Sequence, residues 1–160
     1  MEEPTPSDDL TPAGPAEAEA PRRRRSYVLD NQVGHLLRRA QQRHLSIFAA
    51  HMTEGLTAQQ FATLAKLHEV GPSTQNSLGR QTGMDNATIN GVVARLADRG
   101  LVLREPLPED RRMLRISLSP EGVRCVARAL PLAQEITRLT LAPLSRGERA
   151  TLLRLLRKIS

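Results

Sequence analysis

Aromatic residues are almost missing from this 160-residue chain: two Phe, one Tyr and no Trp, 2% in all. Hydrophobic content still reaches 39%, so the expected core is aliphatic, filled by Leu, Val and Ala. Cysteine is scarce too. A single thiol, Cys125, excludes an intramolecular disulfide and fits a reducing compartment, most simply the cytoplasm. Cys125 falls in an expected helix among Val123, Val126 and Ala127, where it acts as a small hydrophobe. The alternative, a redox sensor, needs a partly exposed site that favours the thiolate. No run of 18 or more apolar residues occurs, so no membrane span is expected. Residues 1–20 are acidic and Pro-rich without an apolar segment, unlike a secretory signal.

Lysine is nearly absent as well. Lys66 and Lys158 are the two lysines among 23 basic residues, and the rest are arginine. The net charge of +6 hides an asymmetry. Glu2, Glu3, Asp8, Asp9, Glu17 and Glu19 place six acids in residues 1–20, with no base among them. The remaining 140 residues carry 23 bases against 11 acids, a balance of +12. Arginine offers a planar fork of donors that matches phosphates and guanine edges. An Arg-dominated basic body favours a polyanionic partner over an inert solvated surface. Enzyme chemistry is not expected. The chain has no Gly-rich phosphate loop, no metal-ligand cluster and no nucleophile set, and no cofactor is implied.

Residues 1–25 read as a disordered tail, punctuated by Pro4, Pro6, Pro12, Pro15 and Pro21 and closed by the run Arg22–Arg25. From about Asp30 to Glu54 the pattern is a long helix. Val33, Leu36, Leu37, Ala40, Ile47, Phe48 and Met52 recur at three- and four-residue steps. Thr57 with Gln60 forms a capping box for a second helix, stopped by Gly71-Pro72. A third helix is expected over Ser73–Arg80, with Gly83 at the following turn. Ser119-Pro120-Glu121 opens a fifth helix reaching about Ala142, in which Pro131 should produce a kink or a break. Ser145 and Glu148 cap the last helix, whose Leu152, Leu155, Leu156 and Ile159 form one apolar stripe. That stripe and the long first helix need something to bury against, and a symmetric dimer is the favoured answer.

The most informative stretch lies between these helices. A fourth helix starts near Asp85-Asn86-Ala87-Thr88-Ile89-Asn90 and ends at Arg99-Gly100. Ile89, Val92, Val93 and Leu96 point inward, while Asn86, Thr88, Asn90 and Arg95 point more outward. Strand-like segments Leu101–Arg104 and Met113–Leu118 follow, joined by a loop carrying Pro108-Glu109-Asp110-Arg111-Arg112. A polar-faced helix beside a ribbon tipped with two arginines suits duplex DNA. The helix enters a major groove and the ribbon reaches the backbone or minor groove.

These residues resemble a MarR-family winged-helix regulator over roughly residues 30–160. The resemblance is strongest at Leu96-Ala97-Asp98-Arg99-Gly100-Leu101-Val102, Pro108-Glu109-Asp110-Arg111-Arg112 and Leu118-Ser119-Pro120-Glu121-Gly122. It implies a mainly α fold with a small β-wing. It implies a winged-helix core at about 56–118, with dimerisation helices at about 28–54 and 119–160 in a single domain over 26–160. It also implies an obligate homodimer that represses transcription and leaves DNA when a small phenolic or other aromatic acid binds between the two regions.

Side-chain chemistry assigns roles within that scheme. Asn86, Thr88 and Asn90 are short polar groups able to read base edges, with Asp85 as the favoured helix cap. Arg95 is a phosphate candidate, or a surface ion pair with Asp98. Gln75, Ser77 and Arg80 flank the third helix and are expected on backbone phosphates. On the wing, one of Arg111 and Arg112 is expected to pair with Asp110 while the other enters the minor groove, Arg111 being favoured outward. For the effector, His35, Arg38, His44, Phe48 and His51 on the first helix combine a cation, ring donors and an aromatic ring. An aromatic or heteroaromatic acid, or its thioester, needs that mixture. His44 and His51 lie about 10.5 Å apart along the axis, far for one shared ion. No His pair occurs at i,i+4, so a metal site is not expected. The competing function is a winged helix used as a protein-interaction module.

Overall fold

The computed structural model describes residues 27–107 and 113–160. The expected N-terminal tail and the wing tip, including Arg111 and Arg112, lie outside those residues. A 3-10 turn, Leu29–Asn31, leads into α1 (Val33–His51) and α2 (Ala58–Val70). Then come β1 (Ser73–Thr74), α3 (Gln75–Thr82) and α4 (Asn86–Asp98). β2 (Val102–Pro106) and β3 (Leu114–Leu118) form the wing stem, followed by α5 (Pro120–Thr140) and α6 (Arg146–Ile159). The three strands make one antiparallel sheet in the order β1-β3-β2. The fold is mainly α with a small β-wing. No described helix is long and apolar enough to cross a membrane.

Local chemistry explains most boundaries. The Thr57 hydroxyl accepts from the Gln60 amide at 3.2 Å, and the Gln60 side chain accepts from the Thr57 amide at 3.0 Å. Ser145 and Glu148 repeat the arrangement on α6. Each box satisfies two amides that the first helical turn leaves without partners. Gly71 and Gly83 close α2 and α3 at φ +79° and +67°, a region that a side chain penalises.

One expectation is corrected and another narrowed. The third helix does not begin at Ser73. Ser73 and Thr74 pair with Ile116 and Arg115 as β1, and the Thr74 hydroxyl caps α3 by accepting from the Ser77 amide. A two-residue strand has no periodicity to read; its distant partners Ile116 and Arg115 on β3 create it. Of the two outcomes expected at Pro131, a kink or a break, the break does not occur: α5 runs continuously from Pro120 to Thr140. Pro131 and Ala127 sit on the exposed face, so the carbonyl freed by the missing N–H lies beside water. Ala129 and Ile136 are buried on either side and hold both halves to the core.

The core is aliphatic. Leu64, Leu78, Ile89, Val92, Val93, Leu96, Ile116 and Val126 are fully buried and join α2, α3, α4, the wing and α5. Burying such side chains supplies the main favourable term for the fold. Both ends of the chain behave differently. On α1, Phe48 is buried, as is Met52 just beyond the helix, while Val33, Leu36 and Leu37 stay exposed. α6 buries no residue, and Leu155 and Ile159 are 47% and 68% exposed. Leu144, Gly147, Glu148, Thr151, Leu152 and Leu155 line an open, mostly apolar groove of about 410 Å³ along α6.

Candidate nucleic-acid interface

Two glycines bring α3 and α4 together. A Cβ on Gly79 would lie 3.0 Å from the Met84 carbonyl oxygen and 3.3 Å from the Ile89 side chain. The absence of one lets the turn pass close to α3, and Gly83 supplies the left-handed backbone. The Met84 amide then donates to the Gly79 carbonyl at 2.9 Å. The result is a tight helix-turn-helix with α4 as its second member.

Asp85 caps α4, its carboxylate accepting from the Thr88 amide at 2.7 Å. Hydrogen bonds from Thr88 hold the Asp85 carboxyl below its ordinary value. With that cap made, Asn86 and Asn90 stand exposed, and Thr88 is half-buried. Arg95 is exposed and makes no ion pair with Asp98. Its guanidinium folds back over Gly91, where a Cβ would come within 3.3 Å of Nη1. Gly91 thus makes room for a cation along the polar face of α4, a role the sequence reading did not give it.

The neighbouring surfaces add charge. Arg80 is exposed on α3. Ser77 is partly committed already, since its hydroxyl accepts from Gln81 at 3.1 Å. Gln75 opens α3 and lines a niche of about 120 Å³ with Thr74, Asn76, Met113 and Leu114, between α3 and the wing stem. Sequence reading passed over Arg104 and Arg115, both exposed on the stem. Arg115 lies opposite Glu105 on β2 and opposite Thr74 on β1, so the sheet fixes its place beside α3. Side-chain alternation around buried Ile116 was the available signal for Arg115. Exposed polar side chains on α4, flanked by arginines on α3 and the wing, match the requirements of major-groove reading with phosphate anchoring.

The five effector candidates on α1 fall into three groups. His35 sits between Asp30 and Arg38, 3.3 Å from each. His44 Nδ1 lies 3.0 Å from the Thr140 hydroxyl on α5, and its ring stands 6.3 Å from that of Phe48. Phe48 in turn packs on Phe61 of α2 at 6.0 Å. His51 is exposed and bonds its own helix through the Ile47 carbonyl. A 3.6-residue helix therefore spreads the set along one rod of roughly 24 Å rather than around one point. His44, Phe48 and Phe61 form an aromatic trio, to which Phe61 comes from another helix.

Cys125 is 3% exposed inside α5. Burial, and then the charge of Glu54, push its thiol up, so the thiolate is disfavoured. The geometry favours the small-hydrophobe reading over the redox sensor.

Known proteins similar to this chain are transcriptional regulators. The model of the MarR family matches residues 56–114. The HTH-type transcriptional repressor NicR of Pseudomonas putida is 43% identical over 134 residues, spanning 83% of this chain and 85% of NicR. A probable transcriptional regulator from Pseudomonas aeruginosa has a crystal structure that superposes with a TM-score of 0.80 at 49% identity, over 83% of this chain and 100% of that one. Bordetella bronchiseptica BpsR, whose structure addresses regulation of its DNA binding by 6-hydroxynicotinic acid, is 40% identical with a TM-score of 0.76. That match spans 80% of this chain and 98% of BpsR. These relatives are regulators, not enzymes. The chain belongs to the MarR family and is a transcriptional repressor of the MarR type.

Proposed function

We propose that the chain works as a homodimer on a pseudo-palindromic operator and leaves it when a small aromatic or heteroaromatic acid, or its thioester, binds beside α1. The winged-helix core, about 56–118, faces DNA, and the flanking helices, about 28–54 and 119–160, form the dimer. The observation that carries this reading is the division of the exposed surface. Polar and cationic side chains crowd α4 and its neighbours, while unburied aliphatic rows lie on α1 and α6 at the other ends of the chain. A protein-interaction module needs apolar contact area on α4, and none is exposed there beyond Ala87.

Base edges are assigned to Asn86, Thr88 and Asn90. Phosphates are assigned to Gln75, Ser77, Arg80 and Arg95, and the wing contact to Arg111 with Arg112. For the effector, His44 and Phe48 supply ring contacts, with Phe61 packed on Phe48 and the Thr140 hydroxyl holding the His44 ring. His35 and His51 stand roughly 13 Å and 10 Å from His44 along α1, beyond the span of one small acid, so an acid seated at His44 and Phe48 takes its cationic contact from Arg38. Similarity to BpsR makes 6-hydroxynicotinic acid the first compound to test. Release requires that the acid bind the operator-incompetent arrangement better than the competent one.

The test is fluorescence anisotropy on the duplex upstream of the chain's own gene. Binding on the order of 10 nM or tighter at physiological salt is expected, with no comparable binding to scrambled duplex. Added 6-hydroxynicotinic acid should shift the curve by tenfold or more, and His44→Ala should blunt that shift without weakening acid-free binding. Equal affinity for operator and scrambled duplex would refute the DNA reading. An operator complex indifferent to a panel of aromatic carboxylates would refute the effector alone.

A further inference from the structure

We propose that Arg99 and Arg128 clamp the turn between α1 and α2 onto the body that carries α4, making them positioning residues that set the recognition helix relative to α1. Arg99 follows α4 directly. Its Nη1 donates to the Gly55 carbonyl at 2.9 Å and its Nη2 to the Glu54 carbonyl at 3.1 Å. Arg128, on α5, donates to the Glu54 carboxylate from Nε at 3.1 Å and from Nη2 at 2.9 Å. Two guanidiniums from two helices thus converge on two consecutive residues. Gly55 has φ +64°, the point where the chain reverses between α1 and α2. Glu121, paired with Arg124, also stands 3.7 Å from Arg128.

The two arginines belong to one rigid unit. Ser119 Oγ donates to the Gly100 carbonyl at 2.6 Å and accepts from the Gly122 amide at 2.9 Å. The Ser119 amide also donates to the Leu101 carbonyl at 3.1 Å. The end of α4 and the start of α5 therefore move together, and the clamp joins them to the end of α1. Arg128 is 53% exposed, and such pairs add little to folding stability. Their directional value is larger, because bidentate geometry fixes orientation as well as distance. A dimer that reads two half-sites needs its recognition helices at a set separation of about one DNA turn. The clamp resists any drift of α4 relative to α1. Its consequence rests on the operator-binding reading above; its geometry does not.

The test compares operators selected from random duplexes by the parent protein with versions carrying one extra base pair between half-sites. Parent protein should discriminate strongly between the two. Glu54→Gln, Arg99→Gln and Arg128→Gln should each reduce that discrimination at least about fivefold, the lower end of ordinary coupling between sites, with dimer mass and Tm unchanged. The double variant Glu54→Gln with Arg128→Gln should lose no more discrimination than either single variant, because both act through one contact. Hydrogen exchange on the DNA-free chain gives a second readout that needs no operator. Glu54→Gln should speed exchange at residues 53–57 and 97–101 together. Unaltered discrimination, equal weakening on all spacings, additive losses in the double variant, or faster exchange in one segment alone would each overturn the clamp. A parent protein that binds no duplex would instead sink the operator reading, leaving exchange to decide the clamp.

Discussion

Gly122 faces the Leu101 carbonyl so closely that a Cβ on residue 122 would lie 1.9 Å from that oxygen. The obstacle is backbone, not the mobile end of a side chain, so neither partner can step aside cheaply. The contact joins the first turn of α5 to the loop leaving α4, where Ser119 also bonds Gly100 and Leu101. Gly122→Ala should therefore destabilise the fold by on the order of 3 kcal/mol, the upper range for overpacking. Urea unfolding of parent and variant measures it. A midpoint unchanged within error would mean that the two segments are not in contact.

Asp85 supports a pH prediction. Its carboxyl is held below the ordinary value of 3.8 by hydrogen bonds from Thr88. A depressed folded value means that the unfolded chain binds the proton more readily. The stabilisation is complete above about 3.8 and is lost as pH falls through the lower, folded value. Asn also caps helices well but does not titrate in this range. Asp85→Asn should fold normally near neutrality and show a shallower fall in stability between about pH 4 and pH 2. Parallel acid titrations by circular dichroism give the comparison, and coincident slopes would count against the cap.

The elements most legible in the sequence are those fixed locally. Thr57, Asp85, Ser119 and Ser145 each cap the helix expected of them, because a cap involves only the next three residues. Aliphatic periodicity likewise marked Ile89, Val92, Val93 and Leu96 as the inner face of α4. What escaped depends on distant partners. β1 exists through β3, and Pro131 is tolerated because of which face it occupies. Phe61 completes an aromatic trio begun on another helix. Arg99 gave no signal at all, since its acceptors are main-chain carbonyls 44 and 45 residues earlier. The α1 candidates share one helix, but their contacts diverge: His35 also meets Asp30 in the 3-10 turn, Phe48 meets Phe61 on α2, His44 meets Thr140 on α5, and His51 bonds α1 itself.

Dimerisation is tested on α6. Leu155 lines the apolar groove and is 47% exposed in the single chain, so replacing it removes little intrachain packing. Leu155→Asp should leave the helix content and the Tm of the isolated fold nearly intact. It should also shift the sedimenting species from dimer to monomer at micromolar concentration, and operator affinity should fall with it because one chain reaches only one half-site. A variant that remains dimeric at the parent's dissociation constant would remove α6 from the interface.

Asn90 and Arg95 separate base reading from phosphate binding on one helix. Both are exposed on α4, and neither side chain is needed by the core. Arg95 carries the charge, so Arg95→Ala should weaken operator and non-specific duplex alike. It should also reduce the slope of log affinity against log salt by about one unit, as expected when one phosphate contact is lost. Asn90 carries no charge and should leave that slope alone. Its amide can pair bidentately with adenine, so Asn90→Ala should cost about 1–3 kcal/mol on the operator and relax the preference at one base pair per half-site. Binding measured at several salt concentrations, on operator and on single-base variants, distinguishes the two outcomes. An Asn90→Ala protein with the parent's base preference at every position would show that α4 does not lie in the groove through this face.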